Sequence, residues 1–123
     1  MNFQDIYHYF QSPPPNYLGK EVAVCYILSI LADNGDSYGS ALMRHLNTEH
    51  PPYQMSDTVL YAALKFLMDE GMIQSYWNKT PGRGRPRRML SIRPEKLDEA
   101  KRLAQLWHQY LGADDKPAIA KPR

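Results

Sequence analysis

The sequence predicts a mainly helical fold with one small β-hairpin (α+β). Apolar residues recur at helical spacing in five segments, and the spacing changes to short strand-like runs between residues 72 and 92. A stretch rich in arginine, glycine and proline separates these runs. We expect a folded domain because 43% of the 123 residues are hydrophobic and 23% are charged, values typical of globular proteins.

The first 18 residues predict an arm ahead of the main domain. Phe3, Tyr7 and Phe10 recur at helical spacing, which indicates a short helix. The consecutive prolines at 13–15 end that helix and favour an extended strut.

Residues 19–94 are predicted to form the main domain, which begins with two helices. Residues 20–34 are apolar on most faces, so we expect a buried helix that ends at Gly35. A second helix follows, with Asp36 or Ser37 as its cap. The next connection carries two adjacent prolines, which exclude helix there.

The third helix, about residues 56–70, has the clearest pattern and a candidate contact face. Ser56 is a good N-cap, and Leu60, Leu64 and Leu67 form an inward stripe. The outward side chains are Thr58, Tyr61, Ala62, Lys65 and Asp69. Threonine, tyrosine and lysine suit contacts with phosphates and base edges. Taken alone, this face is more typical of an ordinary solvated helix, and the neighbouring basic loop changes that interpretation.

The excess positive charge lies in one segment around the loop between the two predicted strands. Residues 71–94 contain six basic residues and no acid, whereas the rest of the chain has nine basic and 13 acidic residues. Such focused charge indicates a polyanion partner. Arg83, Arg85, Arg87 and Arg88 alternate with glycine and proline, and part of the loop matches the core of an AT-hook, which lays arginines into a narrow minor groove. The alternative is an unbound surface loop.

Residues 95–112 predict a final amphipathic helix, followed by a frayed tail at 113–123. The apolar stripe of this helix offers more surface than one small domain needs, so we expect it to form a dimer interface together with the aromatic arm. The residues expected at this interface are Phe3, Tyr7, Phe10, Leu97, Ala100, Leu103, Ala104, Trp107 and Leu111. The alternative is that the helix folds back on its own domain.

Three compact helices, a hairpin with a basic tip and a last helix describe a winged helix-turn-helix. In that fold the third helix enters the major groove of DNA, and the hairpin lies on the backbone or minor groove. Other chemistry is scarce, because the four histidines have no metal-ligand spacing and Cys25 fits a core position. We therefore expect no enzyme, no metal and no cofactor. The longest apolar run, residues 22–28, is far shorter than a membrane span, and we expect a cytoplasmic, nucleoid-associated protein.

The chain resembles the PadR family of bacterial winged-helix transcription regulators in three segments, "DSYGSALMRHLN", "SDTVLYAALKFLMDEGMIQSYW" and "GRGRPRRMLSIRPE". Their order and spacing carry the resemblance, which covers about residues 19–111. It departs from the family pattern before the third helix, where "QMSD" replaces the usual Ser-Pro-Gly, and after the basic loop, where "RPEK" replaces Pro-Glu-Gly. The resemblance implies a homodimer held by the C-terminal helix, often helped by N-terminal residues. It also implies DNA contact through Tyr38, Thr58, Tyr61, Lys65 and the arginines of the basic loop.

These observations predict a homodimeric, sequence-specific regulator of double-stranded DNA, acting as a repressor. The third helix would read the major groove, and the basic loop at 78–88 would bind the backbone or minor groove. The expected DNA-binding residues are Tyr38, Ser56, Thr58, Tyr61, Lys65, Lys79, Arg83, Arg85, Arg87 and Arg88. One alternative is a protein-interaction module that uses the C-terminal helix. Another is an RNA-binding module, which would stack bases on Tyr76 and Trp77.

Overall fold

Five helices and two small strand pairs make up the structure, a computed structural model that describes residues 1–11, 16–78 and 86–115. The helices are α1 (Phe3–Gln11), α2 (Lys20–Asn34), α3 (Gly39–Glu49), α4 (Asp57–Asp69) and α5 (Leu97–Asp115). The strands are β1 (Asn16–Tyr17), β2 (Tyr53–Gln54), β3 (Ile73–Asn78) and β4 (Arg87–Ile92), and a 3₁₀ turn at Pro94–Lys96 precedes α5. This is the predicted mainly helical α+β fold.

Helix α2 lies at the centre of the core. Its buried side chains include Tyr26, Ile27, Leu28 and Leu31, which explains why it is apolar on most faces. Both α4 and α5 pack against it. The Tyr26 hydroxyl donates a 2.7 Å hydrogen bond to the carbonyl of Leu42, which ties α3 to α2. Because that bond is buried, it holds the two helices in a defined orientation.

The ends of α2 and α4 lie where the sequence predicts them. Gly35 follows α2 with a φ of 90°, a left-handed conformation that glycine adopts without strain, and its N–H donates to Leu31. At α4, the Ser56 hydroxyl accepts a 3.1 Å hydrogen bond from the Val59 N–H. Gly71, with a φ of 72°, lies just beyond the helix.

Helix α3 begins later than predicted. Its N-cap is Tyr38 rather than Asp36 or Ser37, and the Tyr38 side chain makes no capping hydrogen bond. Tertiary hydrogen bonds explain the difference. Ser37 exchanges backbone hydrogen bonds of 3.2 and 2.7 Å with Leu90, and the Asp36 carboxylate accepts from the Tyr76 hydroxyl. Both candidate caps therefore hold the hairpin instead of the helix.

Two further differences involve short or weakly signalled features. Strands β1 and β2 form a parallel pair, Asn16 opposite Tyr53, which was not predicted because two residues carry no periodicity. Helix α5 runs through Gly112 to Asp115, although we expected it to end at that glycine. A glycine inside a helix costs only about 1 kcal/mol, so it does not force an end.

The predicted hairpin is present as the antiparallel pair of β3 and β4. Its register runs from Ile73 opposite Ile92 to Asn78 opposite Arg87. Strand β4 starts at Arg87, so Arg87 and Arg88 belong to the ladder. Leu90 is buried and joins the hairpin to the core.

The C-terminal helix returns to its own domain. Trp107 is only 2% exposed and packs edge-on against Tyr26, with ring centroids 5.1 Å apart, and against His50 at 5.5 Å. Ala100 and Ala104 are also buried, because α5 lies along α2. These three residues were predicted to lie at a dimer interface, and within the protomer they are buried against its own core.

The other residues of the predicted interface are more accessible. Leu97 is exposed, and Leu103 and Leu111 are partly buried. On α1, Phe3 and Tyr7 are exposed, and the side chain of Phe10 lies outside the described part. Among the described helices, none has the length and apolar character to cross a membrane.

The position of Trp107 predicts that its truncation lowers stability. We expect Trp107→Ala to reduce the free energy of unfolding by about 3–5 kcal/mol, because it leaves a cavity among buried aromatic rings. Urea denaturation followed by circular dichroism measures this change. The control is Gln105→Ala on the same helix, whose exposed side chain should change stability by less than about 0.5 kcal/mol. Equal losses for both variants would contradict the buried position of Trp107.

Candidate nucleic-acid interface

Three elements meet around an open groove of about 810 Å³, which we call the basic groove. Its walls are the start of α3 at Tyr38–Ser40, the outward face of α4 around Tyr61 and Lys65, and the start of β4 at Arg87. The groove is therefore built from the two helices of the helix-turn-helix and from the hairpin. A rod-shaped ligand lying against α4 would contact all three walls.

The outward face of α4 carries the predicted contact residues. Tyr61 is 63% exposed, and Lys65 is exposed one turn further on. The Lys65 ammonium lies 2.9 Å from a carboxylate oxygen of Asp69. Both side chains are largely exposed, so this ion pair contributes little to stability. A phosphate can therefore compete with Asp69 for the lysine.

Two arginines of β4 are held in place by different contacts. The Arg88 Nε donates a 3.1 Å hydrogen bond to the hydroxyl of Ser75, and another of its nitrogens lies 3.7 Å from the sulfur of Met68. Arg88 thus reaches from the hairpin to α4. The guanidinium carbon of Arg87 lies 4.5 Å from the centroid of the Tyr38 ring, within the range of a cation–π interaction.

The turn between α2 and α3 fastens the hairpin. The paired backbone bonds between Ser37 and Leu90 extend the ladder to this turn. The Tyr76 hydroxyl donates a 2.6 Å hydrogen bond to Asp36, and this bond raises the pKa of the tyrosine because it stabilises the neutral phenol. The position of the hairpin relative to α4 is therefore fixed by contacts outside the hairpin itself.

The groove brings together five of the ten predicted DNA-binding residues. These are Tyr38, Tyr61, Lys65, Arg87 and Arg88. Ser56 and Thr58 are exposed at the start of α4 but do not line the groove, and the Ser56 hydroxyl accepts the capping bond. Lys79, Arg83 and Arg85 lie outside the described residues.

One basic residue beside the groove was missed by the sequence analysis. A terminal nitrogen of Arg44 donates a 3.2 Å hydrogen bond to the hydroxyl of Tyr38. Residues six apart do not share a face of one helix. Tyr38 is the N-cap, and its extended backbone directs the chain differently from the helix that follows. No periodicity in the sequence could have paired these two residues.

The described residues offer little for catalysis or metal binding. They contain no group of three or more histidine, cysteine, aspartate or glutamate side chains placed to hold a metal ion. Burial raises the pKa of the Cys25 thiol, which disfavours the reactive thiolate.

Three compact helices with a hairpin beside the third describe a winged helix-turn-helix, the architecture of many transcription regulators. Residues 27–94 match the model of the transcriptional regulator PadR-like family. The chain belongs to this family and is a transcription regulator, not an enzyme.

Two of the solved structures that are similar to the chain are Pex proteins. It is 52% identical to the circadian clock associated protein Pex from Anabaena, covering 94% of this chain and 99% of that one, with a TM-score of 0.83. It is 57% identical to Pex from Synechococcus sp. (strain PCC 7942), covering 90% of this chain and 98% of that one, also with a TM-score of 0.83. A transcriptional regulator from Clostridium thermocellum is 26% identical, covering 81% and 95%, with a TM-score of 0.57.

No curated protein matches the chain. Nevertheless, the sequence itself resembles Pex through its proline-rich arm and its single C-terminal helix. The structural comparisons confirm that resemblance.

The hydrogen bond between Tyr76 and Asp36 predicts a pH dependence at the hairpin. The neutral phenol is the donor, so the bond is intact below the ordinary tyrosine pKa of about 10 and is lost as the pH rises through the raised pKa of Tyr76. NMR titration of the Tyr76 ring should show this raised pKa, and Asp36→Asn should lower it. An unchanged titration in Asp36→Asn would show that this contact does not form in solution.

Proposed function

We propose that the chain is a repressor that binds double-stranded DNA sequence-specifically as a homodimer. Helix α4 would enter the major groove, and the hairpin would follow the backbone and the adjacent minor groove. The observation that carries this proposal is the convergence of Tyr61, Lys65, Arg87 and Arg88 on one groove. Members of the PadR family bind DNA, which supports the same assignment.

The side chains that line the basic groove suit a nucleic acid, which offers phosphates for charge contacts and base edges for sequence recognition. Lysine and arginine neutralise phosphates and release counterions, which supplies affinity without sequence preference. Tyr61 lies in the first half of α4, where a recognition helix approaches base edges. Lys79, Arg83 and Arg85 lie outside the described residues; in the sequence they come between β3 and β4 and add three positive charges to that segment.

A second surface supports dimerisation. A groove of about 560 Å³ between α2, α4 and α5 is mostly apolar, and we call it the apolar groove. Phe66 is 52% exposed there and Leu106 is 50% exposed, with Val24 and Leu103 beside them. Large apolar side chains that remain exposed together indicate a protein interface. We place the dimer contact here instead of on the buried stripe that contains Trp107.

Repression is the simplest regulatory effect that a DNA-binding dimer of this kind would have. Occupying a promoter blocks transcription and needs DNA binding alone, whereas activation needs a further contact with the polymerase. Two recognition helices related by a two-fold axis would read two half-sites. Such a protein would act in the bacterial cytosol at the nucleoid. Because the Anabaena relative is a clock associated protein, promoters of clock genes are the first candidates for its operator.

The two charged residues on the outward face of α4 give opposite predictions for DNA affinity. Lys65→Ala should weaken binding and reduce the slope of log affinity against log salt by about 0.9, the value for one lost phosphate contact. Asp69→Asn should strengthen binding, since it removes a negative charge from the groove and frees Lys65. Fluorescence anisotropy measures both effects, with a duplex that the chain selects from a random-sequence pool.

The matched control for these variants is Lys101→Ala, which removes an exposed lysine of α5 that is not among the residues lining the basic groove. It should leave affinity and slope unchanged. Wild-type protein without salt-sensitive DNA binding would overturn the proposed function. That result would favour a protein-interaction module built on the apolar groove.

The apolar groove predicts a charge-sensitive dimer. Leu106→Glu should shift the protein to monomer in sedimentation velocity, because it places a carboxylate in a surface that the partner would cover. Gln105→Glu adds the same charge at the neighbouring exposed position and should leave the dimer intact. A dimer that persists in Leu106→Glu would place the interface elsewhere.

A further inference from the structure

Two arginines from different elements contact the same tyrosine at the edge of the basic groove. Arg44 of α3 donates a 3.2 Å hydrogen bond to the Tyr38 hydroxyl. Arg87 of β4 lies over the ring of Tyr38, 4.5 Å from its centroid. Tyr38 therefore gathers two positive charges that are 43 positions apart in the sequence.

Neither arginine is neutralised by an acid within the described part of the chain. Lys65 is paired with Asp69, and Arg93 is paired with Glu95, but neither Arg44 nor Arg87 forms an ion pair with any carboxylate in residues 1–11, 16–78 and 86–115. Two like charges held together without a counterion repel each other. An anion bound between them would remove that repulsion.

The surroundings of Tyr38 favour an anion as well. Tyr38 is the N-cap of the 11-residue helix α3, and its side chain accepts no capping hydrogen bond from the first N–H groups of that helix. These groups carry partial positive charge at the helix terminus.

We propose that Tyr38, Arg44 and Arg87 form a clamp for a single phosphate of the DNA backbone. The proposal rests on the proposed function and specifies the chemical group that one part of the site holds. Each guanidinium would donate to the phosphate oxygens, and the tyrosine would position both guanidiniums. Because Arg44 lies on α3 and Arg87 on the hairpin, one phosphate would link the two elements on either side of the groove.

Salt dependence tests whether the two arginines share one phosphate. We expect Arg44→Ala and Arg87→Ala each to weaken binding by about tenfold, the effect of one hydrogen bond to a charged group. If they share a phosphate, the double variant should reduce the salt slope by about 0.9 in total. A decrease of about 1.8 would mean two separate phosphates and would overturn the clamp. Arg102→Ala on α5 is the matched control and should change neither quantity.

Chemical substitution in the DNA locates the phosphate directly. In the selected duplex, each phosphate of one half-site is replaced in turn by an uncharged methylphosphonate. We expect one position at which wild-type protein loses affinity while the Arg44→Ala, Arg87→Ala double variant does not. If the double variant remains as sensitive as wild type at every position, the clamp is overturned while the DNA-binding function stands.

Variants of Tyr38 test whether this residue acts by positioning Arg44 and Arg87 or by contacting the phosphate itself. Tyr38→Phe keeps the ring beneath Arg87 but removes the acceptor for Arg44, so only the contribution of Arg44 should be lost. Tyr38→Leu removes both contacts and should weaken binding further, by about two- to fivefold, the range of an exposed cation–π contact. In the background of the double arginine variant, Tyr38→Leu should add little. A full additive loss there would show that the tyrosine does not act through the arginines.

Discussion

The burial of α2 is the constraint on which the rest of the structure depends. Helix α5 covers one side of it with Trp107, α4 packs beside it, and Tyr26 ties it to α3 through a buried hydrogen bond. A helix that is enclosed on most sides fixes the helices around it. The outward faces of α3 and α4 therefore keep a fixed orientation relative to each other. A site built from both faces is preorganised before a ligand binds.

The hairpin is attached to this helical core by polar contacts, not by apolar packing alone. The turn between α2 and α3 binds β4 through Ser37 and β3 through Asp36. Tyr38, the next residue, holds Arg87. Three consecutive residues thus link the end of the central helix to the hairpin. This arrangement explains how arginines on a two-stranded element can be directed at a groove beside α4, although isolated hairpins are only marginally stable.

Local and periodic features of the fold could be predicted from the sequence, whereas contacts between distant residues could not. The bounds of α2 and α4 follow from Gly35, Gly71 and the Ser56 cap, which act on neighbouring residues. The amphipathic pattern of α5 predicts that one face is covered but does not say by what. The stripe was assigned to a second copy, whereas its central residues are covered by α2. The contact between Arg44 and Tyr38 was likewise hidden, because it depends on the extended backbone before α3.

The central claim is that DNA occupies the basic groove, and amide chemical-shift mapping by NMR tests it most directly. Labelled protein is titrated with the duplex that it selects from a random-sequence pool. The account predicts that the largest shifts fall on three segments separated in sequence: Tyr38–Ser40, Tyr61–Lys65 and Arg87–Arg88. Largest shifts around Phe66 and Leu106 in the apolar groove, or no shifts at all, would contradict it.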